Sequence, residues 1–153
     1  LAVAMAEGTI VASAECREQL EGLIAVVGAL SRIRSALSST AVIAEPDVST
    51  GTVYVMFVGH GRIVREAHLS LGDVDELAAA VSALHELPAT PPSLSRADLD
   101  EALILDDWMR ARVDHLGVVT LPPGFDPDEA ATHVHAIVAA IGASDGEALA
   151  TAA

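Results

Sequence analysis

Two histidines near the end of the sequence, His133 and His135, are the first candidates for metal binding. Residues two apart on a helix point to nearly opposite sides, so these two imidazoles cannot share one ion. Glu129 is four residues before His133 and shares its face, but two ligands do not make a metal site. We therefore interpret both histidines as surface residues.

Asp106, Asp107 and Asp114 are a second candidate, because hard divalent cations prefer carboxylate oxygens. Adjacent aspartates on a helix diverge, so this group is interpreted as a solvated acidic face. His60 lies between two glycines, and the segment Gly59-His60-Gly61 is more typical of a tight hairpin turn than of a phosphate-binding loop.

Nucleophilic chemistry has little support in the sequence. Ser93 and Ser95 are interpreted as residues at the start of a helix, since no His–Asp pair is placed to activate them. Cys16 is the only cysteine, and its acidic neighbours disfavour a thiolate. One cysteine excludes an internal disulfide and a cysteine-based zinc site, and suits a reducing compartment. The sequence therefore predicts no catalytic residue, no cofactor and no metal ion.

The charge and length of the chain limit the classes of protein to which it can belong. The chain has 153 residues, with 22 acidic side chains against 8 basic ones, and a formal net charge of -14. Such a charge repels phosphate, so little direct binding of nucleic acid is expected. No run of eighteen apolar residues occurs, so no membrane span is expected, and a cytoplasmic location is predicted. The length fits one domain with a helical appendage.

The first predicted element is a long helix over residues 11–37. Its apolar residues recur at intervals of three and four and so form one face: Leu20, Leu23, Val27, Leu30, Ile33 and Leu37. Gly8 is expected to break the helix and to leave residues 1–7 as a separate helical piece. That short piece suggests a chain cut from something longer.

A β-hairpin over residues 52–69 is predicted to be the centre of the fold. Its first strand, 52–58, is apolar on both faces, which is typical of an interior strand. In the returning strand, 62–69, Ile63, Ala67 and Leu69 are expected to share one face, and the other face is expected to be wet. Short strands over residues 41–44 and 118–121 would extend this sheet.

Three further helices have recognisable starts. Asp73 with Glu76, and Ser95 with Asp98, have the spacing of capping boxes. The third start is the segment 126–129, Asp-Pro-Asp-Glu, which gives a cap followed by proline at the first helical position.

The ends of these helices are also predicted. Pro88 is expected to end the first of them. Gly117 is the residue expected just after the second, where a positive φ is common. The third is expected to end at Gly142.

The segment from Met5 to Ile24 resembles a UVR motif, the helical hairpin found in excinuclease B and excinuclease C. The usual pattern is an aromatic residue, small residues around an alanine pair, an Arg-Asp dipeptide and an aliphatic residue. These places are taken by Ile10, Ser13 and Ala14, Arg17 and Glu18, and Leu20. Ile10 replaces the aromatic residue and Glu18 replaces the aspartate. Residues 1–7 would be the remnant of the hairpin's first helix.

The order of the later segments extends this resemblance over residues 3–121. It is similar to the C-terminal region of actinobacterial proteins that join a DEDD exonuclease to a GIY-YIG nuclease of the excinuclease C type. Neither a GIY-YIG signature nor the acidic motifs of the exonuclease occur in the sequence. The resemblance therefore implies a chain that is not catalytic by itself, attached to a parent protein that would hold any nuclease activity.

The predicted fold is α+β: a small antiparallel sheet of three to four strands centred on the hairpin, with two or three helices covering one face. Three parts are expected: a UVR-like helical segment over residues 1–40, an α+β domain over 41–142, and a flexible tail over 143–153.

The predicted function is the non-catalytic interaction part of a DNA-repair nuclease. The resemblance implies protein contacts through Ile10, Ala14, Arg17, Glu18 and Leu20. The expected partner is another protein or the nuclease core of the parent, with self-association also open. The alternative is a free-standing α+β domain for ligand binding or dimerisation, unrelated to repair. A hydrolase would need a pocket combining His68, His115 and an acidic residue.

Overall fold

The computed structural model describes the backbone of residues 2–47, 49–70, 72–88, 93–112 and 117–151, and side chains within residues 16–143 of those ranges. The described residues form four helices and four strands. In order they are α1 (Ala2–Leu37), β1 (Ala41–Asp47), β2 (Thr52–Gly59), β3 (Arg62–Leu69), α2 (Val74–His85), α3 (Arg96–Ala111), β4 (Val118–Thr120) and α4 (Pro127–Thr151). The chain divides into two compact units, Leu1–Ser35 and Ala36–Ala153.

The second unit is built on one antiparallel sheet of four strands in the order β3-β2-β1-β4. This confirms the predicted α+β class and the predicted sheet. The hairpin strand β2 is interior, and β3 is an edge strand with five exposed residues of eight. β4 pairs only with Ala41–Ile43 of β1, so the edge of β1 beyond these residues is unpaired. Pro46 lies on this unpaired edge, where a strand tolerates a residue that has no N–H to donate.

Both faces of the sheet carry helices. Val53, Val55 and Phe57 of β2 belong to one core cluster with apolar residues of α2 and α4. Val58 and Ile43 belong to a second cluster with Met109 of α3. Of the two or three helices predicted to cover one face, α2 and α4 do so, and α3 covers part of the opposite face. Alternating side chains of an interior strand contribute to both clusters, which explains why Val55–Val58 of β2 are apolar on both faces.

A β-bulge between Phe57 and Val58 shifts the register of the hairpin. Phe57 pairs with Arg65 whereas Val58 pairs with Ile63, which leaves Val64 as an extra residue in β3. Ile63 therefore faces the α3 side of the sheet, and the prediction that it shares a face with Ala67 and Leu69 was wrong.

The hairpin tip is a turn packed against the rest of the second unit. Positive φ angles occur at His60 (55°) and Gly61 (71°), so Gly59 does not supply one, contrary to expectation. Gly61 donates its N–H to Ser39 O at 3.1 Å, and a Cβ there would lie 2.5 Å from Ala36 O. The ring of His60 hydrogen-bonds through Nε2 to Pro88 O at 2.7 Å. These contacts hold the hairpin tip against Ala36, Ser39 and Pro88.

Two of the three predicted caps form as expected. Ser95 and Asp98 make a reciprocal capping box at α3, and Asp126 accepts hydrogen bonds from the N–H groups of Asp128 and Glu129 at α4. At α2, Asp73 makes no side-chain cap. Its carboxylate instead accepts from the N–H of Ser70 at 2.7 Å, which closes the turn before the helix.

The predicted bounds of three helices differ from the structure. α3 ends at Ala111, before the end predicted from Gly117. α1 runs from Ala2 to Leu37 without a break at Gly8, because one glycine costs a helix only about 1 kcal/mol. Residues 2–37 are thus a single helix, and the hairpin predicted from the UVR resemblance is absent from them. α4 continues past Gly142 to Thr151, through the segment predicted as a tail. Ala36 in the last turn of α1 is fully buried, so the second unit begins before residue 41.

Candidate functional site

The most unusual surface in the described part of the chain lies on α1. Six large aliphatic side chains of the first unit are each 55–61% exposed, and we call them the apolar stripe: Leu20, Leu23, Ile24, Val26, Val27 and Leu30. Leu20, Leu23, Val27 and Leu30 repeat at intervals of three and four, the spacing of a helix-packing seam. Ile24 and Val26 widen the stripe on either side. Exposed aliphatic surface of this extent is typical of an interaction site.

Two of the five residues predicted to make protein contacts lie on or beside this stripe. Leu20 is its first member, and Arg17, at about 100° per residue, lies beside it. Glu18 lies on the opposite side of the helix, although its side chain is also exposed. The side chains of Ile10 and Ala14 lie outside the described residues.

A polar cluster at the uncovered end of the α3 face of the sheet was missed by the sequence analysis. Asp47 Oδ2 lies 3.2 Å from His68 Nδ1, and the rings of His68 and Tyr54 are 5.0 Å apart. These residues come from β1, β3 and β2 respectively, and the bulge sets the register that places His68 opposite Tyr54. With the same two-residue turn and no bulge, Ala67 would lie opposite Tyr54. The sequence therefore predicted the hairpin but not the pairing of His68 with Tyr54.

The electrostatics of the polar cluster follow from its hydrogen bonds. Ser49 donates its hydroxyl to Asp47 Oδ1 at 2.6 Å, and this bond is the main reason that the pKa of Asp47 falls from 3.8 to about 2. Partial burial, followed by a hydrogen bond to Glu66, raises the pKa of Tyr54 above its ordinary value. At neutral pH the cluster therefore presents an ionised carboxylate, an imidazole and a neutral phenol.

A second contact borders this cluster. Arg112 forms an ion pair with Glu45 and stacks on the ring of Trp108 at 4.2 Å from its centroid. Glu45 pairs with Tyr54 in the sheet, so the contact links α3 to the polar cluster. Arg112 follows α3 directly, and these contacts fix the chain where the helix ends.

The other candidates from the sequence find structural roles or lie outside the described residues. Asp106 is buried and receives Arg110 Nε at 2.8 Å, whereas Asp107 is exposed. His133 is exposed and His135 is half-buried on α4. Asp114 and His115 lie outside the described residues, so the proposed pairing of His115 with His68 does too. Among the described residues, no three His, Cys, Asp or Glu side chains lie close enough to hold a metal ion.

Comparison with protein-family models, with curated proteins and with solved structures found no match. The resemblance to excinuclease-type proteins therefore stays a prediction from the order of the motifs. No helix in the described part of the chain is long and apolar enough to cross a membrane.

We expect replacement of Asp47 by asparagine to lower stability at neutral pH, with the deficit disappearing in acid. The folded pKa of Asp47 is below its ordinary value, so its stabilising effect is present above about pH 4 and is lost as the pH falls toward about 2. Urea unfolding of both proteins between pH 7 and pH 2 measures this. Ser49→Ala, which removes the donor hydroxyl, should show the same pH dependence; a deficit that is constant with pH would contradict the assignment.

Proposed function

We propose that this chain is the non-catalytic interaction part of a DNA-repair nuclease resembling excinuclease C, and that α1 makes the contact. The observation that carries the proposal is the apolar stripe, which lies on the same helix as the UVR-like residues Arg17, Glu18 and Leu20. A lone helix cannot bury such a face itself, so the stripe requires a partner surface.

The described surface of the second unit favours a supporting role for it. Its ion pairs and the capping box of α3 hold the sheet and helices together, and the net charge of the chain opposes direct contact with phosphate. Because residues 2–37 form one helix, the contact within them is made by a single helix face. Helix-in-groove recognition is the binding mode that fits such a face.

The test uses the coding sequence that precedes Leu1. Should it encode a nuclease domain, the purified nuclease portion is titrated with this chain by calorimetry. Leu20→Asp is expected to weaken binding at least about 30-fold, because it places a charge in a desolvated contact. Arg17→Ala is expected to weaken binding about 3-fold, because an exposed ion pair contributes little.

Ala25→Asp is the matched control, because it introduces the same charge on the opposite side of the helix and should leave binding unchanged. Unchanged binding by Leu20→Asp would reject α1 as the contact. A start codon directly before Leu1, with no nuclease domain, would favour the alternative of a free-standing α+β domain.

A further inference from the structure

The apolar stripe is complementary to itself. Leu20, Leu23, Val27 and Leu30 are arranged symmetrically about the level of Ala25 along α1. When two copies of α1 lie antiparallel with Ala25 at the central level, Leu20 meets Leu30 of the second copy and Leu23 meets its Val27. Ile24 and Val26 then flank the centre from both helices. A twofold interface requires this reciprocity, in which residue i contacts j and j contacts i.

The size of the stripe is sufficient for a pair of copies. More than half of each of six aliphatic side chains is exposed. This corresponds to on the order of 600 Å² of surface per chain, so a pair that covered the whole stripe would bury at most ~1,200 Å², the lower limit of specific protein interfaces. The largest apolar patch of a typical monomer is ~300–600 Å² and is often functional, so the stripe lies at the top of that range.

Charge at the ends of the stripe selects the antiparallel orientation. Arg34 and Cys16 continue the three-four spacing of the seam at its two ends, and both side chains are exposed. In a parallel pair, Arg34 would face Arg34 of the second copy, and like charges at a packed seam are unfavourable. In an antiparallel pair, Arg34 faces Cys16 of the second copy, a small residue that leaves space for the guanidinium.

We propose that two copies of this chain associate through the apolar stripe as an antiparallel pair of α1 helices centred on the level of Ala25. This rests on the proposed function, because it takes α1 as the contact helix. A second copy of the chain and a nuclease portion would compete for the same helix face. The two ideas fail separately, since a chain that stays monomeric can still bind a nuclease portion through Leu20.

Sedimentation equilibrium of the full chain at about 10–100 μM measures the association. The expected mass is twice the 15.7 kDa of one chain. Leu23→Asp is expected to give monomers with unchanged helix content, because Leu23 is 59% exposed and contributes little to the fold of one chain. Ala25→Asp is the matched control and should remain a dimer. A monomeric wild-type chain, or a dimer that Leu23→Asp leaves intact, overturns the proposal.

Disulfide trapping tests the orientation. Arg34→Cys should cross-link to the native Cys16 of the second copy under mild oxidation and give a covalent dimer. The double variant Cys16→Ser with Arg34→Cys should not cross-link, because its two thiols lie at opposite ends, about 27 Å apart at 1.5 Å per residue. A covalent dimer of the double variant indicates parallel helices and overturns the antiparallel arrangement.

Discussion

We expect replacement of Phe57 by alanine to destabilise the second unit by about 3–5 kcal/mol, the range for removing a large buried aromatic side chain. Phe57 is 1% exposed and is the largest of the fully buried side chains among the described residues. It lies on β2 in the core cluster that includes Leu77 and Val81 of α2 and Val134 of α4. The deletion would leave a cavity beneath both helices. Since the free energy of unfolding of small domains is only about 5–15 kcal/mol, this loss would be a large fraction of the total.

Urea unfolding followed by the fluorescence of Trp108 measures this loss, because Trp108 is the only tryptophan and lies in the second unit. Ile104→Ala is the control. Ile104 is 68% exposed on α3, so its truncation should change the free energy of unfolding by no more than about 0.5 kcal/mol. A loss below about 1 kcal/mol for Phe57→Ala would mean that the core closes over the site or is not packed as described.

The second large effect is expected from Gly117→Ala, at about 2–3 kcal/mol or more. Gly117 O accepts the N–H of Ala44 at 2.6 Å, which holds the chain against β1. A methyl group at this position would overlap the carbonyl oxygen of Ala44 and lie 3.2 Å from its carbonyl carbon. Both are backbone atoms of a paired strand, so they cannot rotate away as a flexible side chain would. The junction of β1 and β4 would have to shift.

Gly72→Ala is the matched control in the same unit, because a Cβ at Gly72 meets no atom within 4 Å. It should change the thermal midpoint by less than about 2 °C, whereas Gly117→Ala should lower it by several times as much. Equal effects of the two substitutions would show that close approach to Ala44 is not what requires glycine at position 117.

Gly117 also shows where sequence reasoning found the right residue for the wrong reason. A glycine after a helical pattern predicts a positive φ, yet the positive-φ glycines in the described residues are Gly51, Gly61 and Gly124. The need at Gly117 is space beside Ala44, which is distant in sequence and becomes visible only once β1 is in position. Local patterns carry no information on such an approach.

What the sequence did predict depended on local chemistry and alternation. The interior character of β2 follows from apolar residues on both faces, and the capping box of Ser95 and Asp98 follows from their spacing. The bulge at Val64 could not be predicted, because nothing in the strand itself interrupts the alternation. That single extra residue brings His68 beside Tyr54 and Asp47, so the polar cluster was missed with it.

The strand order has a consequence for the speed of folding. β1, β2 and β3 are joined by short turns, so their pairing closes small loops and costs little chain entropy. β4 follows α2 and α3 in the sequence, so its pairing with β1 is non-local. The pair of Ala41 with Thr120 spans more than half of the chain. Non-local contacts of this kind slow the crossing of the folding barrier. A newly synthesised chain can therefore form its three-stranded meander early, but one edge of β1 stays open until residues 117–121 arrive.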